Sequence, residues 1–290
     1  MWLSGLLSAV CFSIMSAIIA HYGTGLSASE FLLGRSLVGL IALAPFVLFS
    51  QTNTKLSLLL LLRGVIGTMA IIILFIMIQN VGAGTATAIH YTSPIYITVL
   101  SAIFLKERVT IQKLFALTLV IFGVLIPVFD KIGDLPFDFL ILGILGAALS
   151  GVSFFLLKLM TEKVSEIFIY FMFCFVQLVT QIILNYFSSN SVFHINYKTV
   201  FSSVGLPCLV VGVLACVAQL LMNNSFKKLS ATTASLLNLM GIPFTVIIEY
   251  FIFNHHYDRS QYLMITMIFM GIVFLRVGNK INKVNLKLTS

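Results

Sequence analysis

The sequence predicts an all-α integral membrane protein with ten transmembrane helices, built as two inverted five-helix repeats with both termini in the cytoplasm. The prediction rests on composition, on the length of the apolar stretches and on the distribution of basic residues. Of the 290 residues, 60% are hydrophobic and 9% are charged, and the mean hydropathy is +1.10. Soluble domains carry roughly 25% charged residues, so this chain lacks the polar side chains to cover a water-soluble fold.

Ten apolar stretches are each long enough to cross the membrane as a helix, which takes about 20 residues. In order, they lie near residues 2–22, 29–50, 57–79, 82–105, 110–130, 137–157, 164–187, 200–222, 230–253 and 260–278. Their continuous apolar character excludes a transmembrane β-barrel, whose strands alternate. No basic segment precedes the first stretch, so we expect it to remain as a helix and not to be cleaved as a signal peptide.

The connectors between these spans are short and rich in residues that favour turns. Tyr22–Gly25 separates the first two spans, Gln51–Lys55 the next two, and Gly133–Pro136 the fifth from the sixth. The longest connector, residues 188–199, contains Ser-Ser-Asn-Ser and is expected to be the most mobile. Short connectors leave no room for a soluble domain between the spans.

The basic residues predict the orientation. If the chain crosses the membrane ten times, thirteen of the 17 Lys and Arg residues fall on the side that holds the N-terminus. The other side receives Lys131, Lys198 and Arg259, with Arg35 just inside the second span. Basic residues accumulate on the cytoplasmic side, so both termini are predicted to be cytoplasmic. The net charge of +8 therefore reflects topology, and no basic stripe interleaved with aromatics indicates nucleic-acid binding.

Short similarities recur in the same order in the two halves of the chain. They pair Gly5–Ala9 with Gly143–Ala147, Ser29–Glu30 with Ser165–Glu166, and Pro94 with Pro243. We therefore predict one five-helix repeat over 1–131 and a second over 132–280, followed by a basic cytoplasmic tail, 281–290. Because five is odd, the second repeat is inverted. This arrangement is typical of alternating-access carriers, whose substrate sites lie at the repeat interface.

Several motifs carry a resemblance to a known family. They are Ser-Ala-Ser-Glu-Phe-Leu-Leu-Gly-Arg at 27–35, Leu-Arg-Gly at 62–64, the small-residue run and proline at 84–94, Phe-Leu-Lys-Glu-Arg at 104–108, Ala-Thr-Thr-Ala-Ser at 231–235, and Pro243. In this order they resemble the drug/metabolite transporter superfamily, specifically its EamA-type ten-helix branch. One departure is Phe-Asn-His-His at 253–256, where the family usually has a Glu.

The resemblance implies a central cavity lined by spans 1, 3, 4, 6, 8 and 9. It also implies transport of small metabolites across the inner (plasma) membrane without ATP hydrolysis, and it does not specify a substrate. We therefore expect a secondary transporter for a small metabolite or an amino-acid-like compound, with the lipid bilayer as its other partner. No cofactor or metal site is expected, and a monomer or homodimer fits the family.

Charged residues inside the apolar stretches are the first candidates for function, because a charge in hydrocarbon is unfavourable unless it is paired or hydrated. Arg63 is a candidate for holding an anionic substrate group, and Arg35 is a candidate for gating, with Glu30 as its suggested partner. Glu249 lies deep in the ninth span and is a candidate for proton coupling. Snorkelling of the arginines to the lipid headgroups and exposure of Glu249 at a helix end remain alternatives.

Polar residues near the two mid-span prolines are candidates for the wall of the substrate cavity. Pro94 leaves the carbonyl of His90 without its usual partner, so His90 and Tyr91 are expected to face a polar space. Asn238 and Pro243 are the corresponding residues of the ninth span. Gln219 and Asn223 share one face of the eighth span and complete the candidate set. The alternative for each amide or imidazole is a hydrogen bond that joins two helices.

The same residues bear on rival functions. An intramembrane serine protease would need a histidine at the depth of Ser153, but His255 and His256 lie at the opposite end of the membrane. The chain also lacks HExxH and Walker motifs, so an enzyme is disfavoured. A channel or a lipid scramblase could use the same polar seam and stays open. Cys11, Cys174, Cys208 and Cys216 lie in apolar stretches and indicate packing residues.

Overall fold

The computed structural model describes residues 2–22, 28–49, 58–81, 83–129, 135–161, 163–187, 205–253 and 258–288. Within these ranges the chain forms twelve α-helices and no β-strand. The helices are α1 (Trp2–Tyr22), α2 (Ala28–Leu48), α3 (Leu58–Val81), α4 (Ala83–His90), α5 (Ser93–Phe104), α6 (Ile111–Phe129), α7 (Phe137–Met160), α8 (Glu166–Phe187), α9 (Leu206–Lys228), α10 (Ala231–Asn238), α11 (Gly241–Phe253) and α12 (Arg259–Leu288).

The described helices are those of an integral membrane protein. Eight stretches are long and apolar enough to cross a membrane: α1, α2, α3, α7, α8, α9, the stretch Ala231–Ile252, and α12. A shorter apolar stretch, Ile111–Pro127, lies in α6. Large apolar side chains cover the outside, including Ile41 (73% exposed) and Phe251 (76% exposed). Lipid is the solvent in which such a surface is stable, so the predicted all-α membrane class is confirmed.

The fourth and ninth spans, each predicted as one continuous stretch, are interrupted in the structure. The fourth consists of α4 and α5, separated by the turn Tyr91–Thr92, and the ninth of α10 and α11, separated by Leu239–Met240. Pro94 and Pro243 lie in the first turn of the helix that follows each break. Because proline lacks an N–H group, it is tolerated there but not in a helix interior.

Two further boundaries differ from the predicted ones. The last helix continues to Leu288, past the predicted end at residue 278, so most of the predicted tail is helical. The eighth span was predicted from residue 200, and α9 begins at Leu206. The long connector 188–199 and the histidines of the 253–256 motif lie outside the described residues.

Glycines bring α2 and α9 into close backbone contact. A Cβ atom added to Gly212 would lie 2.7 Å from Val38 Cγ2, and one added to Gly34 would lie 2.9 Å from the carbonyl oxygen of Cys208. Small residues commonly serve this purpose between membrane helices, where packing must replace the hydrophobic effect. This contact holds α2 and α9 together, and the same two helices carry Arg35 and Gln219, which bond to each other.

We expect Gly212→Ala to lower the free energy of unfolding by about 1–3 kcal/mol, because the added methyl group overpacks the α2–α9 contact. Gly241→Ala is the matched control, since a Cβ atom there would meet its nearest neighbours at 3.7 Å. Thermal unfolding of both variants in detergent measures the difference. Equal melting temperatures would contradict the close approach of α2 and α9.

Candidate functional site

A cavity of about 780 Å³ lies among the helices and is lined by residues of α1–α5 and α7–α11. Eight of the residues singled out from the sequence line it: Arg35, Arg63, His90, Tyr91, Pro94, Gln219, Asn238 and Glu249. The remaining three, Glu30, Asn223 and Pro243, are buried outside its lining. A volume of this size accommodates a small organic molecule.

Two arginines, Arg35 of α2 and Arg63 of α3, lie against one aromatic ring in this cavity. The guanidinium carbon of Arg63 is 4.8 Å from the ring centroid of Phe173, and that of Arg35 is 5.7 Å from it. Arg63 is only 3% exposed, and its Nε has no hydrogen-bond partner among the described residues. The ring face attracts both cations, but it does not neutralise them.

A chain of hydrogen bonds leads from Arg35 along α9. Arg35 Nη2 donates to Gln219 Oε1 (3.2 Å), and Gln219 Nε2 donates to Asn223 Oδ1 (3.1 Å). Asn223 Nδ2 then donates to the carbonyl oxygen of Glu166 (3.2 Å), whose carboxylate pairs with Lys227 at 3.2 Å. The structure therefore gives Gln219 as a partner of Arg35, where the sequence had suggested Glu30, and Asn223 connects helices rather than facing the cavity.

The two helix breaks both border the cavity and pack in one hydrophobic cluster, which includes Tyr91, Leu239 and Met240. His90 and Tyr91 lie at the break between α4 and α5, and Asn238 and Gly241 border the break between α10 and α11. Ser13 of α1 approaches the carbonyl oxygen of Gly241 with its hydroxyl, at 2.8 Å. Asn238 Oδ1 is buried and has no hydrogen-bond partner in the described part of the chain. The breaks thus present amide, imidazole and phenol groups to the cavity.

The rest of the wall consists of aromatic and aliphatic side chains, with several hydroxyl groups among them. Six phenylalanines line it: Phe12, Phe31, Phe75, Phe154, Phe173 and Phe226. Between them lie serines of α1 and α7, of which Ser153 donates to the backbone carbonyl of Arg63 at 3.3 Å. This combination of apolar faces with a few polar groups is typical of small-molecule sites.

The cavity extends over most of the length of the described bundle. At the end where α1 ends and α2 begins, its lining includes Ile19, Phe31, Ile78 and Glu249, each within four residues of a helix end. At the other end, α7 continues for six residues beyond its last lining residue, Phe154, but Phe226 lies two residues from the end of α9.

Charged side chains hold helix ends together at the far end, which we call the closed end and define by Glu107, Lys158 and the α9–α10 turn. Both carboxylate oxygens of Glu107 accept from the backbone N–H of Ala231, at 3.1 Å each. Lys158 Nζ donates to the carbonyl oxygens of Phe226 (2.9 Å) and Leu229 (3.0 Å). A carboxylate at a helix N-terminus and an ammonium at a C-terminus both match the helix dipole.

The candidates predicted from the sequence did not include Phe173, Glu107 or Lys158. Phe173 is one of 26 phenylalanines, and nothing in its local sequence distinguishes it. Glu107 is part of the Phe-Leu-Lys-Glu-Arg motif, but its contact with Ala231 joins residues 124 positions apart. Lys158 is 8% exposed, and the only signal for it was a lysine directly after the end of a predicted span.

A cavity that carries polar groups inside a multi-pass helical bundle is the arrangement found in membrane transporters. The chain belongs to the EamA-like transporter family, whose sequence model matches residues 1–129 and 139–277. The resemblance proposed from the motifs is thereby confirmed.

Relatives in this family are transporters. The pseudopaline exporter CntI of Pseudomonas aeruginosa is 24% identical over 248 residues, covering 83% of this chain and 84% of that protein. Solute carrier family 35 member G1 of Mus musculus is 29% identical over 124 residues, covering 41% of this chain and 33% of that one. One crystal structure, at 12% identity, has the same fold, with a TM-score of 0.77 and 94% of each chain covered.

Replacing Asn223 and Asn238 one at a time should distinguish an amide that joins two helices from an amide that faces the cavity. Asn223→Leu is expected to lower the free energy of unfolding by about 1–3 kcal/mol, because Gln219 and the Glu166 carbonyl lose a buried partner. Asn238→Leu should leave stability unchanged or raise it, because its Oδ1 has no partner to lose. Thermal unfolding in detergent measures both, and the opposite order would contradict this assignment.

Proposed function

We propose that this protein is a secondary transporter that moves a small metabolite by alternating access, without ATP hydrolysis. The observation that carries the proposal is the cavity itself, which lies inside the bundle and is bordered at one end by the helix ends that Glu107 and Lys158 join. A carrier needs such a site, exposed to one side at a time, whereas a channel needs a continuous path. Walls made from interrupted helices are a further feature of carriers.

The packing pattern supports ten spans in two inverted repeats, with α4–α5 as the fourth span and α10–α11 as the ninth. The first span packs against the eighth and ninth, and the sixth packs against the third and fourth. Exchanging the two halves converts one set of contacts into the other. The second span packs on the seventh, and the fifth on the tenth, which the same exchange leaves unchanged. Two separate matches to one family model agree with this division.

Basic residues support cytoplasmic termini and a cytoplasmic position for the closed end. Lys106, Arg108, Lys163, Lys227 and Lys228 lie at the closed end of the bundle. Positive residues concentrate on the cytoplasmic side of the inner membrane, so we assign the closed end to that side. The chain starts at the same end, and an even number of spans returns the C-terminus to it. The name of the Pseudomonas relative supports a small-molecule cargo.

Reconstitution into liposomes tests the proposal against its rivals. We would load vesicles with a mixture of amino acids, nucleosides and organic acids and follow release by mass spectrometry at increasing concentrations. A carrier gives a flux that saturates for a subset of these compounds. A linear flux would establish a channel instead. Protein-dependent loss of labelled lipid from the inner leaflet, without metabolite flux, would establish a scramblase.

The closed end should open when its carboxylate clamp is removed. In a cysteine-free background with spin labels at the exposed positions 108 and 228, Glu107→Ala should increase a population with a longer distance between the labels. A cap of this kind contributes about 1–2 kcal/mol, so the ratio of open to closed molecules should rise about 5- to 30-fold. Pulsed electron resonance measures the distances.

Glu166→Ala is the matched control for this experiment. Its carboxylate pairs with Lys227, which is 48% exposed, and exposed ion pairs contribute little to stability. The distance distribution of that variant should match the parent. Equal distributions in the Glu107 variant and the parent would contradict the role given to the closed end.

A further inference from the structure

We infer that the transported molecule carries an anionic group, a carboxylate or a phosphate, and that this group binds between the guanidinium groups of Arg35 and Arg63. The apolar part of the molecule would then lie against the phenylalanines of the cavity. The inference rests on the proposed transport function and names the chemical class of its substrate.

The charge of the cavity lining carries the first step. Its charged residues are Arg35, Arg63 and Glu249. Glu249 lies four residues from the end of α11, whereas the arginines are grouped at the Phe173 ring. No carboxylate of the described residues forms an ion pair with Arg63. A buried cation without an anion is unfavourable, so the site as built is complementary to a negative charge.

Burial removes the simplest alternative, in which Arg63 extends to the lipid headgroups. A snorkelling arginine keeps its guanidinium in water, but Arg63 is 3% exposed and lines the internal cavity. It caps no helix end in the described chain either, in contrast to Lys158, which donates to the carbonyls of Phe226 and Leu229 at the end of α9. The donors of Arg63 are therefore held at the cavity and are not used by the fold.

The geometry of the pair suits an oxyanion. Both guanidiniums are held on the ring of Phe173, and Arg35 is held in addition by Gln219. Guanidiniums bind carboxylates and phosphates through two parallel hydrogen bonds. Phe154 and Phe226 stack with their centroids 5.6 Å apart and with an interplanar angle of 8° near the same end of the cavity. An amphipathic acid would meet cations and aromatic faces in one place.

Matched probes test the inference on the purified full-length protein in detergent. We would measure thermal shifts with 3-phenylpropionate, its neutral amide and 3-phenylpropylamine, and extend the panel to dicarboxylates and phosphomonoesters with their neutral counterparts. Short-chain phosphatidylglycerol provides the lipid form of the same anionic chemistry. The acids should raise the melting temperature of the parent, and the neutral and cationic analogues should not.

Three variants assign the effect to the site. Arg63→Gln should weaken acid binding about 10- to 100-fold, as expected for the loss of a charge-assisted contact, and Arg63→Lys should retain part of it. Arg108→Gln, at an exposed loop position, should bind like the parent. Without ligand, Arg63→Gln should melt at or above the temperature of the parent, because an uncompensated buried charge is removed. A lower melting temperature would indicate a structural role and overturn the inference.

The remaining outcomes separate the inference from the proposed function. Equal protection by acids and by their neutral analogues, or no protection by any acid that depends on Arg63, overturns the inference. Protection by phosphatidylglycerol alone overturns the assignment to a transported metabolite and gives the site to a lipid headgroup. Saturable flux of neutral or cationic metabolites that Arg63→Gln leaves unchanged overturns the inference while transport stands. Acid binding that depends on Arg63, without saturable flux of any compound, supports the site and contradicts the transporter.

Discussion

Every backbone N–H and C=O group within hydrocarbon must find a partner inside the protein, and the layout of this molecule depends on that constraint. Helices satisfy it along most of the chain, so an interruption is tolerated only where other groups substitute. At the first break, the hydroxyl of Thr92 donates to the carbonyl of Ile89 at 2.7 Å. At the second, the hydroxyl of Ser13 reaches the carbonyl of Gly241. Both breaks border the cavity, where polar ligand atoms could serve as further partners.

The same constraint applied to side-chain charges distinguishes two kinds of charged residue within the bundle. Glu107 and Lys158 are placed at helix ends, where unpaired amides or carbonyls require a partner. They stabilise the turn between α9 and α10 and need no ligand. Arg35 and Arg63 share an aromatic ring instead, and Arg63 donates to no helix end or carboxylate of the described chain. Glu107 and Lys158 therefore stabilise the fold, whereas Arg63 remains available to bind a ligand.

How far the sequence could predict this site depends on the range of the interactions. Polar residues in apolar stretches must face the interior of the bundle, which is why His90, Asn238 and Gln219 could be placed in the cavity wall. Gln219 and Asn223 are four residues apart and do bond to each other. Glu30 and Arg35 are five residues apart, a spacing outside the i, i+3 and i, i+4 positions that meet on a helix surface, and the structure gives Arg35 a partner on another helix, Gln219. Glu107 and Phe173 act through contacts between distant helices, which no local pattern encodes.

One helix, α9, links the site to the closed end. Gln219 on this helix accepts from Arg35, Asn223 one turn later bonds to the backbone of α8, and the carbonyl of Phe226 is held by Lys158. A ligand that draws Arg35 towards itself competes with Gln219 for the same donor. Any resulting shift of α9 would act on the carbonyls that Lys158 holds, because a helix moves as a rigid element. Alternating access requires that occupancy of the site alter the closed end, and the contacts along α9 form a continuous physical connection between the two.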